Sequence, residues 1–562
     1  MAQKRRTVME KPWFKSYASG VPIQIKYEPT PMPQALTRTV KNFPDKTALI
    51  FIDSKISYKQ LNEMANRFAN FLLELGVKPG DKVAMLMPNM PQLVAATYGA
   101  WKAGAVVVMN NPLYTDKELE YQFNNSESSI LVTIDLLGPR MIALKPKTKI
   151  RKIVIAHIRD HLKFPKKQLL PILAKDKHRE IPPTPDVFEW MHILKKYPAT
   201  EPQIPVPFDS LACLQYTGGT TGVSKGVMLS HENLSKNVQQ IVAWFPGFNQ
   251  GEITHLGVLP IFHSFGLTCC MNICIWMGWA DVLIPRPEPQ VILEAVHKYK
   301  VNFFPAVPTM YVGVLNHPKA TQFDLTSIKG CFSGAAPLPV EVIKDFESKT
   351  GSQICEGYGL SETTPVATTN PFGGKTKPGS IGLPMPDTDL KIVDLVDGTK
   401  ELPVGEAGEI IIKGPQVMSG YYKMPDETAA TLRDGWLYTG DIGKMDEEGY
   451  FYIVDRKKDM IIAGGYNIYP REIDEILFEH PKILEACAVG IPDSYRGETV
   501  KAFVVLKPGE KMTEEEVIQY CATKLAKYKI PKMVEFLTSL PKSGVGKILR
   551  KELRAIEMTK KK

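Results

Sequence analysis

Between residues 82 and 109 the chain carries two apolar runs, Lys82-Val-Ala-Met-Leu-Met87 and Ala105 to Met109, with a helical stretch, Gln92 to Ala103, between them. Neither run alternates polar with apolar residues, so a strand made from either is apolar on both faces. Such a strand has to be covered above and below, and a parallel sheet flanked by helices does this. Upstream, Ser57 and Gln60 form a capping box ahead of Leu61, Met64, Ala65, Phe68, Phe71, Leu72 and Leu75, with Gly76 as a stop. That pattern predicts an amphipathic helix. The expected fold class is α/β with doubly wound sheets. At 562 residues the chain exceeds what one core holds, roughly 250–300 residues, so the α/β part is expected to comprise several subdomains.

The texture changes after about residue 455. Strand-like Met460-Ile-Ile462, a helix with Pro470 in its first turn, strands at Ala486 to Ile491 and Lys501 to Leu506, and a helix capped by Thr513 and Glu516 follow. We expect a large N-terminal domain over 1–455 and a small mobile α+β domain over 456–562.

The 69 Lys and Arg against 60 Asp and Glu leave +9, mild for this length. No nucleic-acid partner is called for, and phosphate-bearing small ligands suit the balance equally. Eight cysteines without a CxxC pair or an apolar leader after MAQKRRTVMEKPWFKSY predict reduced core thiols and a cytoplasmic setting. Cys269, Cys270 and Cys274 lack the second ligand pair that a soft-metal site at finger spacing needs. Leu256 to Ala280 contains no Asp, Glu, Lys or Arg, but Pro260, His263, Ser264, Asn272 and three glycines interrupt it. It predicts strand-like Leu-Gly-Val-Leu-Pro260 leading into a buried helix, not a membrane span. From Arg140 to Arg179, thirteen Lys or Arg stand against Asp160 and Asp176. This reads as a solvated surface elaboration; Phe164, Leu169, Leu170, Ile172 and Leu173 beside Lys163, Lys166 and Lys167 give the competing reading of peripheral contact with an anionic membrane.

The chemistry concentrates in loops. Leu214-Gln-Tyr-Thr-Gly-Gly-Thr-Thr-Gly-Val-Ser-Lys-Gly-Val-Met228 is an apolar strand emptying into glycines, threonines and a lysine, a composition that lets backbone N–H groups, hydroxyls and an ammonium converge on phosphate oxygens. It is not a Walker A loop, because Lys225 precedes Gly226 and the glycine spacing differs. Glu356-Gly-Tyr-Gly-Leu-Ser-Glu-Thr-Thr-Pro365 offers Tyr358 as a flat face for a purine and Glu362 as a carboxylate for Mg²⁺. Trp436-Leu-Tyr-Thr-Gly-Asp441 ends in an acid suited to a ribose diol, although an Asx-turn would explain it alone. Tyr452 to Ile473 places charges between two strands at the domain boundary. Leu540-Pro-Lys-Ser-Gly-Val-Gly-Lys-Ile-Leu-Arg550 sets Lys547 on a glycine-flanked loop.

In this order the five motifs resemble the adenylate-forming superfamily of acyl- and aryl-CoA synthetases, luciferases and peptide-synthetase adenylation domains, from about residue 30 to residue 555. Asp434-Gly-Trp-Leu-Tyr-Thr-Gly-Asp-Ile-Gly443 through Asp455-Arg-Lys-Lys-Asp459 looks most like bacterial long-chain fatty-acid–CoA ligases. The resemblance implies fatty acid, ATP and CoA as substrates with Mg²⁺, and two half-reactions through acyl-AMP. It assigns Thr217, Gly218, Gly219, Thr220, Thr221, Gly222 and Lys225 to the phosphates, and Gly334, Ala335, Ala336, Glu356, Gly357, Tyr358 and Gly359 to the adenine side. Ser361 falls near the α-phosphate, Glu362 on Mg²⁺, and Asp441 and Arg456 on the ribose. Lys547 would bridge carboxylate and α-phosphate, Lys458 would be the hinge, and Gly464 and Gly465 would border the pantetheine path. His263, Phe265, Gly266 and Leu267 would lie at the acyl pocket, where Phe265 to Trp276 explains a greasy tunnel or plain core packing equally well.

Two positions depart from the commonest family pattern: Gly218 stands where Ser is frequent and Ser224 where Pro usually precedes the lysine. The loss of one hydroxyl and one rigid turn residue bears on loop closure, not on ATP use. An aryl- or medium-chain ligase, an acyl-AMP ligase serving a carrier protein, and a non-catalytic nucleotide or fatty-acid binder are the rivals. Oligomeric state, homodimer included, is left open by the sequence.

Overall fold

In the computed structural model, residues 11–165, 167–168, 178–217, 224–463, 466–493, 496–542 and 548–560 are described. The chain forms two compact units.

The larger unit, within 16–389 and 413–435, contains both α/β sheets. In the seven-stranded sheet the spatial order is Val187–Glu189, Lys152–Ala156, Ile130–Ile134, Lys82–Leu86, Val106–Met109, Leu211–Thr217 and Lys225–Ser230. The first six strands pair in parallel, and the last two form an antiparallel hairpin. The expected strand–helix–strand unit is present as Lys82–Leu86, Pro91–Lys102 and Val106–Met109. The helix between the strands is buried along its whole length, as an apolar parallel sheet requires. The Ser57 box caps Tyr58–Glu74 with both reciprocal bonds made.

The nine-stranded sheet runs Leu383–Pro384, Val366–Thr369, Ile354–Gly359, Gly330–Ser333, Phe303–Ala306, Thr254–Gly257, Ala280–Leu283, Thr47–Phe51 and Ser54–Ser57. Its interior pairs are parallel and its margins antiparallel. Ile50, Leu256, Val258, Phe304, Tyr311, Cys331 and Phe346 lie in the core packed on it.

The strand at Leu256 starts earlier and stops sooner than the apolar run implied: it is Thr254–Gly257, and beyond it Val258 N turns back to donate to Leu256 O at 3.0 Å. Ser264–Gly266 then opens a helical run that widens into π-type turns at Leu267–Asn272 and closes as Ile273–Met277. Every residue in it is buried. Among the described residues no helix is long and apolar enough to cross a membrane. All eight cysteines are buried and unbridged, and burial raises the thiol pKa of Cys213 and Cys331 to about 12, as inert core thiols show.

The smaller unit, within 1–15, 390–412 and 436–562, takes in more than the residues after 455. The strand Trp436–Met445 is hydrogen-bonded on one side to Gly408–Lys413 and on the other to Phe451–Arg456, and this ladder groups these strands with the C-terminal residues. A second sheet holds Tyr466–Ile468, Ile461–Ala463, Gly497–Leu506 and Ile483–Asp493, with Met533–Phe536 beside Gly497–Leu506. Helices Pro470–Phe478 and Glu514–Ala522 carry the expected proline start and capping box, and Ile473, Leu477, Val517 and Cys521 pack with this sheet in one core.

Candidate active site

In the larger unit the hairpin Leu211–Thr217 and Lys225–Ser230 pairs Thr217 with Lys225 at its loop end. Lys225 Nζ is ion-paired to Glu427 and stands 4.9 Å over the Tyr421 ring. The 418–422 segment is fastened alongside by backbone bonds: Met228 N donates to Gly420 O at 2.9 Å, and Tyr422 N to Gly226 O at 2.8 Å. From this segment the Tyr421 hydroxyl donates to Glu362 Oε1 at 2.8 Å, while Met418 N donates to Glu362 O at 2.8 Å. Burial first, and the Glu362 carboxylate next, raise the Tyr421 pKa well above the ordinary tyrosine value. The geometry thus gathers a hydroxyl, an ammonium and two carboxylates where the threonine loop leaves the sheet. Ser224 Oγ accepts from Gln122 Nε2 at 3.4 Å, so the serine that replaces the usual proline is engaged.

The adjoining strand ends carry the second group. Gly330–Ser333 and Ile354–Gly359 run parallel, with Ser333 opposite Glu356, which puts Gly334-Ala335-Ala336 beside Gly357-Tyr358-Gly359. Ala335 adopts φ +71°, and Ala335 and Ala336 are exposed. Glu356 is buried and ties two loops down, accepting from Leu338 N at 3.1 Å and Gly379 N at 3.3 Å. Its carboxylate is occupied by backbone and shapes the loop.

Ser361 and Glu362 sit in the single turn Ser361–Thr363. Ser361 Oγ is 3.2 Å from Ser264 Oγ, so the His263 loop reaches the same place. His263 Nδ1 accepts from Phe265 N at 3.2 Å, capping the helix that begins at Ser264. A Cβ on Gly266 would stand 2.1 Å from Pro260 O, so only glycine lets the helix start that close to its own loop. Phe265 meets Phe332 edge to face at 5.4 Å, and a Cβ on Gly334 would stand 3.1 Å from the Phe265 ring. Leu267, next in that helix, is buried.

In the smaller unit Asp441 and Arg456 face each other across an antiparallel ladder, and Arg456 Nε lies 3.0 Å from the buried Asp441 Oδ1. Lys458 is exposed two residues beyond. Gly218, Gly219, Thr220, Thr221, Gly222, Gly464, Gly465 and Lys547 lie outside the described residues. Tyr421 and Glu427 are additions that only the fold reveals.

Family models named "AMP-binding enzyme" and "AMP-binding enzyme C-terminal domain" match residues 36–422 and 472–547. The chain belongs to the AMP-binding enzyme family. Within it, a Bacillus subtilis protein named long-chain-fatty-acid–CoA ligase is 47% identical over 97% of this chain and 98% of its own length. An Escherichia coli protein of the same name is 39% identical over 97% and 98%. Among solved structures, ATP-bound MatB from Rhodopseudomonas palustris superposes with a TM-score of 0.82 at 30% identity, covering 93% of this chain and 98% of that one.

Proposed function

We propose that this chain is a long-chain fatty-acid–CoA ligase. It activates a fatty acid with Mg·ATP to acyl-AMP and pyrophosphate, then passes the acyl group to the CoA thiol and releases AMP. The end-to-end 47% identity to the Bacillus subtilis ligase is the observation that carries the reading. The cluster of Lys225, Glu362, Tyr421 and Glu427 at the mouth of the threonine loop supports it chemically.

Thr217, the loop Gly218 to Gly222 and Lys225 hold the β- and γ-phosphates. Tyr358 takes the adenine face, Gly334, Ala335 and Ala336 its edge, and Ser361 the α-phosphate. Glu362 fits Mg²⁺: it is half-buried, its second oxygen is left over from the Tyr421 bond, and this ion takes one or two protein carboxylates plus phosphate oxygens. When bound, the ion neutralises phosphate charge. Tyr421 orients the carboxylate. Asp441 and Arg456 serve the ribose hydroxyls, and Lys547 the charge that builds between carboxylate and α-phosphate. The residues after Lys458 turn about it between half-reactions, leaving Gly464 and Gly465 beside pantetheine, while those before it, Asp441 and Arg456 included, keep the nucleotide. His263 holds its helix start as a cap, and Phe265, Gly266 and Leu267 lie at the acyl entrance. Phe164, 81% exposed beside Lys163, supports peripheral contact of a cytoplasmic enzyme with anionic lipid; liposome binding that falls with added salt tests it.

The deciding experiment is pyrophosphate release by purified protein with Mg·ATP and acetate, coumarate, palmitate or oleate, with and without CoA. Release strongest with the fatty acids, with CoA-dependent thioester and AMP, is expected. A preference for coumarate would make it an aryl-CoA ligase, turnover without CoA use an acyl-AMP ligase, and no release with any acid would overturn the reading.

A further inference from the structure

Away from the nucleotide cluster, three neighbouring parallel strands of the seven-stranded sheet end in ionisable residues. Ile130–Ile134 runs into Asp135, Lys152–Ala156 into His157, and Val187–Glu189 ends on Glu189. Their pairing sets the three side by side at the carboxyl edge, the rim at which open parallel sheets collect ligands. His178, from the connection between the second and third of these strands, joins them.

The distances are short. His178 Nδ1 lies 2.9 Å and His157 Nδ1 3.1 Å from the same oxygen, Asp135 Oδ2, which also accepts from Arg179 N at 2.9 Å. Asp135 is 0% exposed and both imidazoles are buried. Yet Asp135 Oδ1 and His178 Nε2 are buried without a hydrogen-bond partner, and His157 Nδ1 meets Asp135 Oδ2 only as an ion pair, without an aligned hydrogen bond. Protons alone leave this cluster poorly satisfied: one carboxylate oxygen is crowded by three nitrogens while its twin is idle, and orphaned buried polar atoms are costly.

A divalent cation between the two imidazoles and the carboxylate relieves the crowding at Asp135 Oδ2 and gives His157 Nδ1 a partner. One oxygen of Asp135 and one ring nitrogen each of His157 and His178 lie within 4.8 Å of one another. A tetrahedral zinc with bonds of about 2.0–2.1 Å separates its ligands by about 3.3 Å, so the two nitrogen–oxygen contacts need only widen slightly. His157 Nε2 faces Glu189 Oε2 at 2.8 Å, the outer carboxylate that typically orients a metal-bound imidazole and fixes its tautomer. We propose that Asp135, His157 and His178 form a structural zinc-class site, with Glu189 as the carboxylate behind His157 and water completing the shell. It fastens His178 to the sheet edge beside the ends of the strands that carry Asp135 and His157.

His255, Cys274 and Asp281 also converge, but His255 has both nitrogens satisfied, by Asp281 Oδ1 at 3.0 Å and Cys269 O at 2.9 Å. Asp281 Oδ2 is buried without a partner there, but His255 has no ring nitrogen left to give an ion.

The test uses the full chain, stripped by chelator and then dialysed against Zn²⁺ or Co²⁺, with metal counted per chain. One tightly held equivalent is expected, with cobalt showing the visible bands of four-coordinate nitrogen and oxygen ligation and no thiolate charge transfer. The stripped chain should melt lower and recover with Zn²⁺. His178→Gln should lose the metal while remaining folded. No bound metal, a thiolate spectrum that points to Cys274, or an unchanged cobalt spectrum in His178→Gln would each overturn the proposal. Metal content and the cobalt spectrum are both read on the unsubstituted chain, so they decide the matter even where a variant fails to fold.

Discussion

Replacing Tyr421 by Phe removes one oxygen and tests whether the fold-built part of the site matters. The hydroxyl donates to Glu362 Oε1 at 2.8 Å from a side chain only 7% exposed. Its raised pKa keeps it a donor at every working pH. Phenylalanine retains the ring beneath Lys225, so packing and the cation–π contact persist and the melting temperature should hardly move. What is lost is a hydrogen bond to a charged acceptor, about 1.5–3 kcal/mol. Glu362 is half-buried and water can take over part of the donor's role, so the lower figure applies. About 1.5 kcal/mol is roughly tenfold in rate. We expect kcat/KM for Mg·ATP, measured by pyrophosphate release, to fall about tenfold. If Tyr421 works only by orienting Glu362, adding Tyr421→Phe to Glu362→Gln should cost nothing further. A single variant within twofold of the parent, or a fully additive double, would refute the reasoning.

Three further outcomes are expected. Lys547→Ala should lower acyl-AMP formation about 10²- to 10³-fold while sparing thioester formation from supplied acyl-AMP; equal loss of both halves removes the assignment. Gly266→Ala drives a methyl to 2.1 Å from Pro260 O and should destabilise by about 3 kcal/mol or more, so an unchanged denaturation midpoint would show that the helix start packs less tightly than described. Burial lowers the His231 pKa from 6.5 to about 3, so below pH 6.5 the unfolded chain binds a proton that the fold refuses, and stability falls as pH drops toward 3. Between pH 7 and pH 5 this amounts to about 2 kcal/mol. Urea unfolding of the parent and of His231→Asn should differ in pH dependence by that amount, and parallel curves would exclude the histidine as the cause.

What the sequence discloses of the site is what lies within one loop. Thr217 and Lys225 can be read as a phosphate hairpin because glycine spacing and hydroxyls act locally, and the structure pairs them. Tyr421 and Glu427 could not be read so. They lie 59 and 202 residues from the side chains they hold, and only the pairing of 418–422 with Lys225–Ser230 delivers them. Glu356 shows the converse: its motif suggests ligand binding, yet tertiary contacts engage its carboxylate with two backbone amides. The Asp135, His157 and His178 cluster was equally hidden, since residues ending different parallel strands are neighbours only after sheet order is known. The α/β class, by contrast, was legible because two-sided burial leaves its mark in each strand separately.

The pairing of Lys225 with Glu427 carries a consequence for how such a loop would discriminate among anions. An ammonium that already has a counter-ion is not a standing trap for stray anions; a newcomer must evict the carboxylate before it gains the charge. A ligand with several phosphate groups offsets that eviction through many simultaneous contacts, whereas inorganic phosphate or sulfate has few to offer. On the proposed phosphate role of Lys225, Glu427 would act as a threshold, and neutralising it would be expected to make the loop greedier and less choosy.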